Sequence, residues 1–246
     1  MNDQEEPISQ HLIELRRRLI ITAIALAFGS LITFIFFRSI LDLMLIGAKA
    51  SLPENGNIVY TELTEFVGVA MKISLFGGLV LALPVIMYQA VVFVTPGLRP
   101  KERRYLYILL PLTILSFIAG ATFGFKILIP PAVGFLISFG GEIATPMIRI
   151  GNVINLMITL LFWMGLIFQL PLLAFFFTKI GIVTPKTLSR QRRYAVVAAF
   201  VLGAIITPTF DPINQTLVAL PIIVLYEAGI LLSRIAYRGK KTQDSK

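Results

Sequence analysis

Two carboxylates stand alone among bases. Glu14 is the single acid in Ile8-Ser9-Gln10-His11-Leu12-Ile13-Glu14-Leu15-Arg16-Arg17-Arg18, and Glu102 is the single acid in Phe93-Val94-Thr95-Pro96-Gly97-Leu98-Arg99-Pro100-Lys101-Glu102-Arg103-Arg104. A carboxylate accepts the planar fork of an arginine through two parallel hydrogen bonds, a geometry that lysine cannot reproduce. The surrounding bases would repel cationic guests in general and leave discrimination to geometry. Plainer readings stand beside this one. Arg17 and Arg18 lie three and four residues after Glu14, the spacing of a surface ion pair worth about 0.2–0.5 kcal/mol. Pro100 suits the first position of a helix, which would put Glu102 in a first turn where negative charge favours the helix dipole.

Three further polar groups lie on or beside apolar runs. Gln169 precedes Pro171 and could satisfy backbone groups that the proline frees. Glu227 sits two helical turns before Arg234, close enough to a basic end to reach towards it. His11 is the one histidine, and there is no cysteine, so thiolate chemistry is excluded and a zinc cluster has no ligands. No Ser-x-x-Lys, His-Glu-x-x-His or Walker loop is present, and no catalysis, cofactor or metal is expected of this chain.

The elements that must hold these residues follow from composition. Of 246 residues, 57% are hydrophobic and 14% charged, against about 45–50% and about 25% in a soluble domain. The apolar residues fall in runs at Leu19–Phe37, Gly68–Val92, Tyr105–Leu128, Val153–Thr178, Tyr194–Thr207 and Ile213–Ser233, which predicts an all-α membrane protein with six spans. Arg16-Arg17-Arg18 before the first run invites a signal-peptide reading, but that run is too long for one and is kept as a retained helix. Residues 1–246 read as a single integral membrane domain. An amphipathic segment over 1–18, with Ile8, Leu12, Leu15 and Leu19 on one stripe, is expected at the interface, and a tail over 234–246 follows the spans.

Seventeen of the 22 Lys and Arg fall on one side of such a layout, and only Arg38, Lys49, Lys72, Lys126 and Arg149 on the other. The bias places both termini in the cytoplasm and accounts for the net charge of +9 without nucleic acid. The segments Arg38–Val67 and Ile129–Asn152 carry Pro53, Asn55-Gly56, Pro130-Pro131 and Gly140-Gly141, which read as turns in a small external cap. The fifth run is only about 21 Å long as a helix. Such a mismatch is relieved by thinning the bilayer or by association with a partner helix. Pro84, Pro171 and Pro221 interrupt the even-numbered runs, so bent helices and a concave bundle are expected.

These residues resemble the TatC family of the twin-arginine translocase. His11-Leu12-Ile13-Glu14-Leu15-Arg16 is similar to its N-terminal signature, and Phe93-Val94-Thr95-Pro96-Gly97-Leu98 with Glu102-Arg103-Arg104 to its first-cytoplasmic-loop signature. The likeness continues through Thr207-Pro208, Asp211 and Gln215-Thr216 over essentially the whole chain. The resemblance implies an inner-membrane receptor that binds the paired arginines of signal peptides on folded cargo through Glu14 and Glu102. Arg16, Phe93, Pro96 and Arg103 match positions tied to signal recognition, and Asp211 matches one on the outer side. The implied partners are TatA- and TatB-type single-span subunits and further copies of the chain, with transport driven by the proton motive force. In many relatives the position of Gln169 is a glutamate facing the concave side. Here it is neutral, which removes direct proton carriage and leaves a polar contact for a partner helix. The chief alternative is a small-solute secondary transporter, which calls for intramembrane charges, broken glycine-rich helices and paired repeats. Of these, only Glu227 and the prolines are present.

Overall fold

The computed structural model describes residues 8–49, 58–94, 100–138, 147–207 and 212–244, with backbone alone for 8–11, 47–49, 91, 94, 100–106 and 239–244. Among them the chain is almost wholly helical. In order it forms α1 (Ile8–Ile35), α2 (Phe37–Lys49), β1 (Ile58–Val59), α3 (Glu65–Val94), α4 (Pro100–Phe123), a π turn (Gly124–Leu128), α5 (Ile129–Ser138), β2 (Ile148–Arg149), α6 (Ile150–Ile167), α7 (Leu170–Ile180), α8 (Pro185–Arg190), α9 (Arg192–Ile206) and α10 (Pro212–Asp244).

Five helical stretches are long and apolar enough to cross a membrane: Leu12–Ile35, Glu65–Ala90, Tyr107–Ser138, Ile150–Ile180 and Pro212–Arg238. The chain is therefore a multi-pass helical membrane protein. The remaining apolar run forms α9, a helix of 15 residues, about 22 Å at the usual rise and shorter than a bilayer core. Leu12, Leu19, Ile24, Phe28, Leu31 and Ile35 on α1 are more than half exposed, as expected of surface whose solvent is lipid.

The centre of the packing is α6, whose Ile154, Met157 and Met164 are fully buried because α3, α4 and α9 surround it. Close backbone approach replaces the hydrophobic drive that lipid removes. On α4, a Cβ at Gly120 would come within 2.5 Å of the Met164 carbonyl, and on α6, one at Gly165 would meet the Phe117 ring. The α1–α3 crossing is tighter still. A Cβ on Gly29 would lie 2.7 Å from the Gly78 carbonyl, and one on Gly78 would fall on the backbone nitrogen of Ser30.

Where it is described, from Ile8, the 1–18 segment leads without a break into the first span as the first turns of α1, since nothing between Ile8 and Leu19 stops a helix. Elsewhere the expectation changes. Pro130-Pro131 do not make a turn. They occupy the first turn of α5, where missing N–H groups are tolerated, and the chain stays helical by widening to a π turn in which the Ile129 N–H reaches the Gly124 carbonyl. The run Val153–Thr178 lies in one candidate span, Ile150–Ile180, interrupted just before Pro171, where Phe168-Gln169 separate α6 from α7. Pro84 and Pro221 remain inside continuous helices. Pro53, Asn55-Gly56 and Gly140-Gly141 lie outside the described residues.

At one end of the bundle a cap does form. β1 and β2 pair in parallel, Ile58 with Ile148 and Val59 with Arg149. Glu65, first residue of α3, gathers the cap: its Oε2 accepts from the Thr61 N–H at 2.9 Å and from Arg149 Nη2 at 3.2 Å, and its Oε1 accepts from the Gly151 N–H at 3.0 Å. It thereby satisfies a first-turn donor of α6 that Arg149, at the N-cap, leaves unserved. Glu62 holds the same guanidinium at 3.0 Å, and hydrogen bonds from Arg149 to Glu65 and Glu62 raise its pKa above the ordinary arginine value. Glu65→Gln is expected to speed amide hydrogen exchange at Gly151 and Thr61 while leaving the centre of α6 protected, because only the cap loses its common acceptor.

Candidate functional site

Glu14 lies on the face of α1 turned to α3. Its Oε1 is held by Arg18 Nη2 one turn on, and Arg18 also reaches Gln89 Oε1 on α3 at 3.4 Å. The side chains of Arg18 and Glu14 are 14% and 29% exposed, so this is no freely solvated pair. The apolar flanks of α1 and α3 partly exclude water and strengthen the attraction. The second carboxylate oxygen of Glu14 has no partner among the described residues. The site is thus a half-occupied carboxylate in a crease, with one oxygen available to a donor arriving from outside.

Phe93 follows Gln89 by one turn near the end of α3 and is half-buried, so it shares the Gln89 side of that helix. Arg16 is exposed and turned away from Glu14, in a shallow strip with Leu12, Leu15, Leu19, Ile20 and Ala23. The described structure therefore places Glu14 beside the α3 face that carries Phe93 and separates Arg16 from both. Pro96 and Asp211 lie outside the described residues. Helix α4 begins at Pro100 as its sequence predicts, which puts the backbone of Glu102 and Arg103 in the first turn, with their side chains outside the described set.

Gln169 serves a different helix from the one its sequence suggests. Its Nε2 donates to the Thr113 carbonyl on α4 at 2.8 Å, in place of the groups freed by Pro171. The break is served from α4 as well, since the Ser116 hydroxyl donates to the Phe168 carbonyl at 2.8 Å. Thr113 and Ser116 are three residues apart and so face the break together. Gln169 Oε1 is buried without a partner. Gln169→Leu is expected to cost about 1 kcal/mol of stability in detergent, read as a lower thermal midpoint, because the Thr113 carbonyl loses a donor where water is scarce.

Glu227 is paired rather than isolated, accepting from Arg192 Nη2 of α9 at 2.7 Å, with the two side chains 44% and 49% exposed. It joins α9 to α10 beside the Tyr226 hydroxyl, which donates to the Leu188 carbonyl of α8 at 2.8 Å. Among the described residues no group of three His, Cys, Asp or Glu could hold a metal ion. Sequence reasoning offered Arg18 as a partner of Glu14 but missed Gln89 as a second acceptor for Arg18, and Glu65 as the acceptor of the cap. The i+4 spacing pointed to Arg18, while nothing local pointed to Gln89 or Glu65.

A family model, Sec-independent protein translocase protein (TatC), matches residues 10–221. The chain belongs to the TatC family. A TatC protein of Carboxydothermus hydrogenoformans is 35% identical over 234 residues, covering 95% of each chain. One of Aquifex aeolicus is 38% identical, covering 96% of this chain and 98% of that relative. A crystal structure of the twin-arginine translocase receptor TatC superimposes with a TM-score of 0.81 at 38% identity, covering 92% of this chain and 99% of that one. The TatC fold thus extends over nearly the whole chain, and Glu14 and Glu102 both lie within the matched residues.

Proposed function

We propose that this chain is the signal-recognising core subunit of a twin-arginine protein translocase, a receptor that binds the paired arginines of signal peptides on folded cargo. The observation that carries the reading is Glu14, a carboxylate only partly exposed in the α1–α3 crease, with one oxygen on Arg18 and the other without a partner among the described residues. A guanidinium entering the crease finds an acceptor whose geometry favours a planar fork over an ammonium. Glu102, in the first turn of α4, supplies the second carboxylate, Phe93, Pro96 and Arg103 form the surrounding contact surface, and Arg16 meets the peptide outside the crease, from the exposed side of α1.

In this reading residues 1–246 form one integral membrane domain of the inner membrane, with α9 as a short sixth span, a concave bundle and both termini in the cytoplasm. The lysines and arginines at the end opposite the cap support that orientation. TatA- and TatB-type single-span subunits and further copies of the chain assemble around it, with α9, Gln169 and Asp211 offering polar or short-span contacts, and the proton motive force drives transport. The chain recognises cargo and has no catalytic step of its own.

The test is binding of a twin-arginine signal peptide and its twin-lysine variant to the detergent-purified protein. Preference for the arginine peptide by about tenfold, the worth of a bidentate charge-assisted contact, is expected. Equal binding of both peptides, or solute uptake by the protein alone in liposomes, would reject the receptor reading.

A further inference from the structure

A cavity of about 630 Å³ opens beside the capped end of the bundle, between α5, α6, α9 and β2. Its wall is polar at one end and apolar at the other. Arg149, Asn152 and Asn155 stand towards the cap, and Leu136, Leu156 and Ile205 line the remainder. Lys72 reaches from α3 to this rim, its Nζ donating to Asn155 Oδ1 at 3.2 Å.

Four features make the rim a set of donors awaiting an acceptor. Lys72 lies seven residues into α3, about 10 Å below the start of that helix, yet makes no ion pair among the described residues. A cation at that depth is costly without a counter-charge. Arg149 Nε is buried and without a partner, although Glu62 and Glu65 occupy its Nη2. Asn152 is exposed with no hydrogen bond among the described residues. With its Oδ1 on Lys72, Asn155 keeps Nδ2 to donate. The acids that face this rim, Glu62 and Glu65, are engaged by Arg149 and the cap backbone.

We propose that this cavity is a specific site for a phospholipid whose phosphate is received by Lys72, Asn155 and Asn152, with the start of an acyl chain against Leu136, Leu156 and Ile205. Its size falls in the range of small-molecule sites, about 300–1,000 Å³. Its polar wall runs along about two turns of α6, from Asn152 to Thr159, about 10 Å, with aliphatic side chains beside it. The gradient from donors to aliphatic side chains matches an amphiphile lying parallel to α6.

The full-length chain, stripped of lipid in detergent, should retain phosphatidylglycerol in native mass spectrometry and discard diacylglycerol with the same chains. Lys72→Gln should weaken retention about tenfold through loss of a charge-assisted hydrogen bond, and Lys72→Arg should restore it. Should Lys72→Gln fail to fold, Asn152→Leu provides the same reading from the opposite rim. Equal retention of diacylglycerol, or undiminished phosphatidylglycerol binding by these variants, overturns the site. Saturation by inorganic phosphate alone, with no gain from acyl chains, makes it an ion site and overturns the lipid assignment.

Discussion

Glu14→Ala is expected to abolish the preference of the purified protein for a twin-arginine over a twin-lysine signal peptide, a loss of about tenfold or more in relative affinity. Glu102→Ala should do the same. The informative control is Arg18→Gln. If Glu14 served only as the surface partner of Arg18, removing either residue would have the same consequence, and neither would affect peptide choice. If Glu14 receives the guest, Arg18→Gln frees its Oε1 as well and arginine preference persists or grows, while Glu14→Ala eliminates it. Fluorescence anisotropy of labelled peptides on the three folded variants separates these outcomes. Preserved preference in Glu14→Ala would remove the residue from the site.

The second large effect is expected where two helices touch through backbone. Gly78→Val should destabilise the protein by about 3 kcal/mol or more, because the new side chain meets the backbone nitrogen and Cα of Ser30 as well as its hydroxyl, and rigid backbone packing cannot yield. Gly68 lies in the same helix, and a Cβ added there would meet nothing within 4 Å, so Gly68→Ala should be neutral or slightly stabilising. Thermal unfolding in detergent reads both. A Gly78→Val protein as stable as wild type would mean that α1 and α3 can separate without loss, contrary to their close approach.

How much of this was legible beforehand depends on whether the cause was local. Apolar runs announce helices because each must satisfy its own backbone in lipid, and the helix start at Pro100 follows from the proline itself. The short α9 was likewise visible, as the apolar run Tyr194–Thr207, too short to cross a bilayer core. What sequence could not supply was partnership across distance. Glu65 looks like an ordinary first-turn acid until β1 and β2 bring Arg149 and Gly151 to it. Gln169 looks like a companion of Pro171, yet the acceptor it finds is Thr113, 56 residues away. Pro130-Pro131 signal a turn, and a π turn absorbs them because the preceding carbonyls find donors five residues on. For the proposed recognition site, the two acids are conspicuous by their isolation among bases. The crease that half-buries Glu14 is not, because it depends on how closely glycines let α1 approach α3.

The continuity of α1 carries a consequence for how a guest must arrive. From Ile8 to Ile35 the helix is unbroken, so Glu14 is fixed to the membrane-spanning part as a mark is fixed to a ruler. It stands five residues, or about 8 Å, ahead of Leu19. A peptide whose arginines dock at that mark has the register of its following apolar segment set against α1 and α3 without any further contact. Lengthening or shortening the polar stretch between arginines and apolar segment by a few residues would then place one of them at the wrong height, and the receptor would measure that spacing as well as the charge.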